Sequence, residues 1–146
     1  MSLAPKAQAA LNKFTLALDE FVKVQVPKKA LAVQQKIALD ALRLVVKKSP
    51  VDTGRFRGEW QLSLTRTTKL TNRLDKRRRG TNPNGDVVAQ EAANIASADP
   101  YGVIWLTNAL PYAEALENGH SKQAPQGVLA LSLTELRARI ARELSA

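Results

Sequence analysis

Between residues 49 and 60 the chain reads SPVDTGRFRGEW, a stretch that must convert a helix into a strand. Pro50 cannot continue a helix. Asp52 can fold an Asx-turn onto its own backbone, and Gly54 permits a positive φ. Phe56 is expected to anchor the turn between two solvated arginines. The sequence therefore predicts a tight corner between a helical half and a strand.

Upstream of this corner, apolar residues recur at helical intervals. The first apolar stripe lies between residues 5 and 24 and consists of Leu11, Phe14, Leu18, Phe21 and Val22. Pro27 is expected to end this helix. A second helix, predicted from Lys28 to Lys48, has a wide apolar surface and ends with two lysines that suit the helix dipole.

Downstream of the corner, Trp60, Leu62 and Leu64 alternate with polar residues, which predicts a strand with one buried face. The remaining predicted elements are a mobile basic loop or hairpin excursion over 66–86, a helix over 87–98 capped by Asp86, a strand over 103–107, a helix over 111–118 and a final helix from about Gln126. Trp60 and Trp105 are the predicted core anchors of the two strands.

This order of elements predicts a single α+β domain over residues 1–146. Two long N-terminal helices and a C-terminal helix are expected to pack on a small, mainly antiparallel sheet, with a long basic loop.

Composition narrows the possible functions. The chain has no cysteine and one histidine, His120, so it offers few of the side chains that zinc sites and histidine-based catalytic triads need. We expect no enzyme activity, no cofactor and no metal. The net charge of +9 favours an anionic partner. The start of the chain lacks the apolar region of a signal peptide and no long apolar stretch follows, so we expect folding in a cytoplasm without a membrane contact.

A second segment, residues 112–127, reads YAEALENGHSKQAPQG. A short helix is expected to end at Gly119, and Pro125 is expected to start the next one. Glu114 and Glu117 lie three apart on the short helix, where exposed acids are commoner than catalytic pairs. His120 is expected to be an exposed interface or solvent residue.

Together the two segments resemble the tail-completion, neck or minor tail proteins of long-tailed bacteriophages, over roughly residues 30–146. The first shared motif, similar to PVDTGRLRGSW, is formed here by Pro50, Val51, Asp52, Thr53, Gly54, Arg55, Arg57, Gly58 and Trp60. The second, similar to YAxxLExGxSxQAPxGmV, is formed by Tyr112, Ala113, Leu116, Glu117, Gly119, Ser121, Gln123, Ala124, Pro125, Gly127 and Val128. Phe56, Val128 and the basic loop depart from the pattern.

The resemblance implies a structural virion protein that completes the tail and joins it to the head. Such a subunit forms a homo-oligomeric ring, for which we expect six copies rather than twelve. Its implied neighbours are tail-tube, tail-terminator or head–tail connector proteins. The implied location is the virion tail or neck, after assembly in the host cytoplasm. The motif turns are expected to hold docking surfaces in place.

The basic loop lies outside this resemblance and admits several interpretations. Between residues 66 and 79 it has the single acid Asp75 and seven basic residues, Arg66, Lys69, Arg73, Lys76, Arg77, Arg78 and Arg79. They can be a solvated surface, dock on an acidic neighbour or contact genomic double-stranded DNA non-specifically. The alternative function is a small basic, non-specific nucleic-acid-binding protein. A nuclease using Asp52, Glu59 and Glu114 is a third and weaker hypothesis.

Overall fold

A computed structural model describes residues 4–119 and 121–145 of the chain. The helical half is a single uninterrupted run made of α1 (Pro5–Glu20), a π turn (Phe21–Gln25) and α2 (Val26–Lys48). The prediction of two separate N-terminal helices, divided at Pro27, is therefore wrong.

The π turn explains why Pro27 does not end the helix. Proline lacks an N–H and its ring clashes with the carbonyl four residues earlier. Immediately before Pro27, the Val26 N–H donates to the Phe21 carbonyl, five residues back. Pro27 thus lies in the first turn of α2, directly after the π turn, where its missing N–H is tolerated.

The rest of the chain adds short elements around a two-stranded sheet. These are α3 (Arg55–Gly58), β1 (Trp60–Ser63), α4 (Gly85–Asn94), β2 (Trp105–Asn108), α5 (Ala113–Glu117) and α6 (Leu129–Ser145). The strands pair antiparallel, from Trp60 opposite Asn108 to Ser63 opposite Trp105. The fold is α+β, as predicted.

Several boundaries differ from the predictions. The one-turn helix α3 has no counterpart among them, and the strands and the final helix are displaced by a few residues. Helix α4 is capped by Asn84, whose side-chain oxygen accepts from the Asp86 N–H at 3.0 Å, and not by Asp86. Both residue types are good caps, so composition did not decide between them.

The core lies between α2, the sheet and the start of α6. Its buried members are Leu42, Val45, Val46, Phe56, Trp60, Leu62, Ile95, Leu110, Ala124 and Val128. A smaller cluster of Ala41, Leu44 and Leu136 joins α2 to α6. The helical half and the two motif segments therefore share one core.

The two tryptophans differ in burial. Trp60 is 6% exposed, as predicted, whereas Trp105 is 39% exposed, and its predicted role as a core anchor is wrong. Trp105 pairs with Ser63 and so lies on the sheet face opposite Leu62 and Leu106. The apolar run around Trp105 did not reveal which face is buried.

The start of the helical run lies apart from this core. No residue of α1 or of the π turn is buried. Among the described residues, the first side-chain hydrogen bonds from the helical run to distant parts of the chain come from Gln34 and Gln35. We call residues 5–25 the arm and the described residues from 26 onward the body. The prediction that the first helix packs on the sheet is wrong.

The described helices include none that is long and apolar enough to cross a lipid bilayer.

Candidate functional site

The first motif forms a corner fixed to the end of α2. The Trp60 indole N–H donates to the Ser49 hydroxyl at 2.8 Å, and that hydroxyl donates to the Val45 carbonyl at 2.6 Å. The rings of Phe56 and Trp60 meet edge to face, with centroids 5.5 Å apart. Phe56 anchors the turn from the interior, as predicted.

Two glycines of this corner lie directly against the backbone of the basic loop (residues 66–86). Gly54 has φ +83°, as predicted, and a Cβ there would lie 2.5 Å from the Asp75 carbonyl. A Cβ on Gly58 would lie 2.3 Å from the Arg73 carbonyl oxygen. The loop backbone therefore packs directly on the corner, and a side chain at either position would force them apart.

Arg57 is buried, which corrects the expectation of two solvated arginines. One guanidinium nitrogen donates to the Val46 carbonyl at 2.9 Å, and another donates to the carbonyls of Thr81 and Asn82. Its Nε lies 2.9 Å from Asp75 Oδ2, in an ion pair without hydrogen-bond alignment. Arg57 therefore joins α2 to the basic loop. Its neighbour Arg55 is exposed.

Glu59 fixes the middle of the basic loop. Its buried carboxylate accepts the backbone N–H groups of Thr71 and Asn72, each at 2.7 Å. Both carboxylate oxygens accept from the backbone, so Glu59 holds the loop in place. The nuclease hypothesis did not foresee this structural role.

Arg73 and Glu91 seal the edge of β1 that does not pair with β2. Arg73 donates to the carbonyls of Gly58 at 3.0 Å and Trp60 at 2.6 Å, and its Nη1 lies 2.7 Å from Glu91 Oε1. The other Glu91 oxygen accepts the Leu62 N–H at 2.6 Å. Charged side chains thereby satisfy backbone groups that would otherwise be open to another strand. Arg73 is not a free docking residue.

Asp75 forms ion pairs with two arginines, Arg57 and Arg77. Arg77 donates to its carboxylate through Nε at 2.9 Å and Nη2 at 2.8 Å, while Arg57 approaches from the interior. Hydrogen bonding from Arg77, with a further contribution from Arg57, lowers the pKa of Asp75 to about 2. The charge of Arg77 is thus largely balanced within the subunit.

The other predicted docking cations remain on the surface. Within the described part of the chain, no hydrogen bond or ion pair involves the exposed side chains of Arg66, Lys69, Lys76 and Arg78. Arg79 is exposed and donates to the Lys48 carbonyl at 3.2 Å. The loop has no helix or strand before α4, but residues 71–82 are bound to the body by the contacts above. The predicted excursion is wrong for this part.

The second motif uses Glu117 to cap the final helix. Its carboxylate accepts the backbone N–H groups of Val128, Leu129 and Ala130 at 2.8, 2.7 and 2.9 Å. A negative charge at this end matches the helix dipole. Glu117 therefore joins α5 to α6, whereas Glu114 is exposed.

Close backbone contact also explains Gly119. Its φ is +89°, and a Cβ there would lie 2.3 Å from the Pro125 carbonyl oxygen. Ala124 and Gly127 are buried beside this turn, whereas Pro125 is exposed and Ser121 is half-buried. His120 lies outside the described residues, so its prediction stays a prediction.

The two motifs meet through a reciprocal pair of hydrogen bonds. The Val51 N–H donates to the Gln123 side-chain oxygen at 2.9 Å, and the Gln123 amide donates to the Val51 carbonyl at 2.8 Å. Beside this contact lies an open cleft with a volume of about 560 Å³. Its lining includes Asp52, Thr53, Phe56, Tyr112, Leu116 and Lys122. We call it the motif cleft, and it is the candidate functional site.

The arrangement does not gather metal ligands. Among residues 4–119 and 121–145, no group of three or more His, Asp or Glu side chains is placed to hold a metal ion. Asp52, Glu59 and Glu114 are accordingly not brought together as the nuclease hypothesis required.

Sequence reasoning missed Glu91, although a signal was present. Glu91 lies four residues after Val87 and four before Ile95, and so falls on the apolar stripe of α4. An acid on a buried stripe needs a basic partner. The sequence did not show that Arg73 supplies it.

Comparisons with protein-family models, with curated proteins and with solved structures found no match to this chain.

Proposed function

We propose that this chain is a structural subunit of a bacteriophage virion, which forms a ring at the head-proximal end of the tail and joins the tail to the head. The proposal rests on the resemblance of the two motifs to tail-completion proteins. The observation that best supports it is the contact between them. Hydrogen bonds between Val51 and Gln123 hold the motifs together, and the motif cleft opens beside them.

The motif residues divide into two groups that suit a docking surface. Gly54, Arg57, Gly58 and Trp60 are buried and hold the corner in place, while Glu117 caps α6. The exposed group includes Asp52, Thr53, Arg55, Tyr112, Gln123 and Pro125, and the exposed Lys122, which is not a motif residue, lies among them. A rigid interior below an exposed polar and aromatic rim is what preorganised recognition requires.

A ring needs a surface on each subunit that meets a different surface on the next. We expect six copies, with the motif cleft facing a neighbouring tail or connector protein. The exposed cations Arg66, Lys69, Lys76 and Arg78 can face either an acidic partner or the phosphates of DNA in the lumen.

The same exposed cations favour a second candidate, a non-specific nucleic-acid-binding protein. The basic loop has no aromatic side chain on which bases could stack between residues 66 and 79, so any binding should be electrostatic. Filter binding across a salt series tests this candidate. Tight, salt-sensitive DNA binding by a monomer that is absent from particles would favour it over the virion role.

Gene disruption tests the leading proposal. Disrupting the gene in the genome that carries it should give filled heads and finished tails that do not join, visible by negative-stain microscopy. Expression of the wild-type chain from a plasmid should restore joined particles, with an antibody label at the neck. Infectious particles formed without the chain, or turnover of a substrate by the isolated protein, would contradict the proposal.

Two tyrosines provide a matched test of the motif cleft. Tyr112 lines the cleft and is 42% exposed, whereas Tyr101 is 67% exposed and lies outside it. Tyr112→Ala should fold normally and fail to restore joined particles, while Tyr101→Ala should restore them. Equal restoration by both variants would remove the motif cleft as the docking site.

A further inference from the structure

The arm presents an apolar stripe that no part of the chain among residues 4–119 and 121–145 covers. Leu11, Phe14, Leu18 and Phe21 follow one another at intervals of three and four residues and share one helix face, with Val22 beside them. Each of these side chains is about half exposed or more, and Phe14 is 64% exposed. Together they leave on the order of 400–500 Å² of apolar surface in solvent, the size of patch that is often functional in a monomer.

The arm cannot cover this stripe by folding back on its own body. It comprises the 16 residues of α1 and the five of the π turn, and it continues into α2 without a break. At helical rise it extends for roughly 30 Å. Another molecule must therefore supply the covering surface.

The body carries an uncovered groove of matching chemistry between α2 and α6. Its larger part, with a volume of about 360 Å³, is lined by Leu62 and Leu106 of the sheet, by Ile104 just before β2 and by residues of both helices. Leu133, on its rim, is 40% exposed. A second hollow of about 250 Å³ shares Ile37 and Leu136 with it and continues along the two helices. We call the two hollows together the α2–α6 groove.

Charge does not oppose contact between the arm and the groove. On the groove rim, Lys36 pairs with Asp40 and Glu143 at 3.2 Å each, and on the arm Lys23 pairs with Asp19 at 2.9 Å. A helix laid between two others is a common packing arrangement, and an amphipathic helix in an apolar groove is a recurrent mode of recognition. If the groove side contributes about as much area as the stripe, the contact would bury about 1,000 Å² in total, the lower range for a specific interface.

We propose that the arm of one copy lies in the α2–α6 groove of a second copy, with Phe14 and Leu18 facing the groove. The contact joins two different surfaces, so it repeats from subunit to subunit and closes into a ring when the rotation permits. This inference deepens the proposed function, on whose ring it rests, by assigning the contact between neighbouring copies. The contact itself can be measured without a phage.

Crosslinking tests the contact directly, because the chain has no cysteine of its own. A tagged Phe14→Cys chain is mixed with an untagged Leu133→Cys chain and treated with a short bismaleimide. Two matched controls use Leu16→Cys, which is 71% exposed but off the stripe, and Leu131→Cys, which is 37% exposed but outside the groove. The Phe14–Leu133 mixture should give mixed dimers at least five times faster than either control mixture.

Three outcomes would overturn the proposal. Predominant Phe14–Phe14 crosslinks would mean that arms pair with arms, equal rates in the controls would mean unspecific collision, and no crosslinks up to millimolar chain would mean no contact. As a second measurement, Phe14→Glu should weaken self-association at least tenfold in sedimentation experiments, and Leu16→Glu should not. Failure of these tests with normal neck labelling would reject the contact and leave the virion role standing.

Discussion

The arm and the body are both helical at their junction, yet they are stabilised in different ways. In the body, α2 buries Leu42, Val45 and Val46 against the sheet and the first motif. In the arm, side chains of equal hydrophobicity remain in solvent. The difference shows that an apolar helical stripe does not by itself place a helix in the core, since a partner surface must exist within reach.

The largest loss of stability is expected when Trp60, the main buried anchor of the body, is removed. Trp60→Ala should lower the free energy of unfolding by about 3–5 kcal/mol, because it empties a buried site and leaves the Ser49 hydroxyl without its donor. Urea unfolding followed by circular dichroism measures the loss. Trp105→Ala is the control and should cost much less. Equal losses would mean that the two sheet faces are equally buried.

The next largest loss of stability is expected when Arg73, which covers the unpaired edge of β1, is replaced. Arg73→Ala leaves Glu91 buried without its positive partner and the Trp60 carbonyl without its donor, so the free energy of unfolding should fall by about 3 kcal/mol. Arg78→Ala, in the same loop but exposed, should change it by less than about 0.5 kcal/mol. If both variants unfold at the same urea concentration, Arg73 does not stabilise the body.

A smaller effect should follow from the ionisation of Asp75. Its folded-state pKa of about 2 lies below the ordinary value of 3.8, so its contribution to stability is complete above about pH 4 and is lost as the pH falls toward 2. Wild-type protein should therefore lose its advantage over Asp75→Asn across this interval in thermal unfolding. Asp52→Asn, at the exposed part of the corner, controls for loss of one charge. A constant difference between wild type and Asp75→Asn from pH 6 to pH 2 would contradict the assignment.

The smallest effect on folding is expected in the arm. Phe14→Glu replaces an exposed side chain, so the free energy of unfolding of dilute protein should change by no more than about 0.5 kcal/mol. Thermal unfolding of dilute samples, compared with Lys13→Glu, measures this. A loss of several kcal/mol would show that Phe14 packs on the body of its own subunit.

Local pattern was sufficient to predict the α+β class, the corner and the antiparallel strands. Pro50, Gly54 and the alternation from Trp60 to Leu64 each act on their near neighbours, and the positive φ of Gly54 followed from residue type. The helical periodicity of the first fifty residues was also informative, although Pro27 was misread because a π turn has no recognisable residue pattern.

What could not be predicted depends on pairs that lie far apart along the chain. Arg57 and Arg73 appear in the sequence as surface cations, and only folding brings them to buried carbonyls and to Asp75 and Glu91. Likewise, Glu117 looks like an exposed helix acid until the start of α6 meets it. For the candidate site, sequence identified both motifs, but not that Val51 and Gln123 join them.

Hydrogen–deuterium exchange over a series of protein concentrations tests the difference between arm and body most directly. Amides of β1 and the second half of α2 should be protected equally at every concentration, because the body's core is complete within one subunit. Amides of residues 5–25 should exchange quickly in dilute protein, since a helix without tertiary packing is marginal, and slowly in concentrated protein. Strong arm protection at the lowest concentration, or none at the highest, would contradict the account.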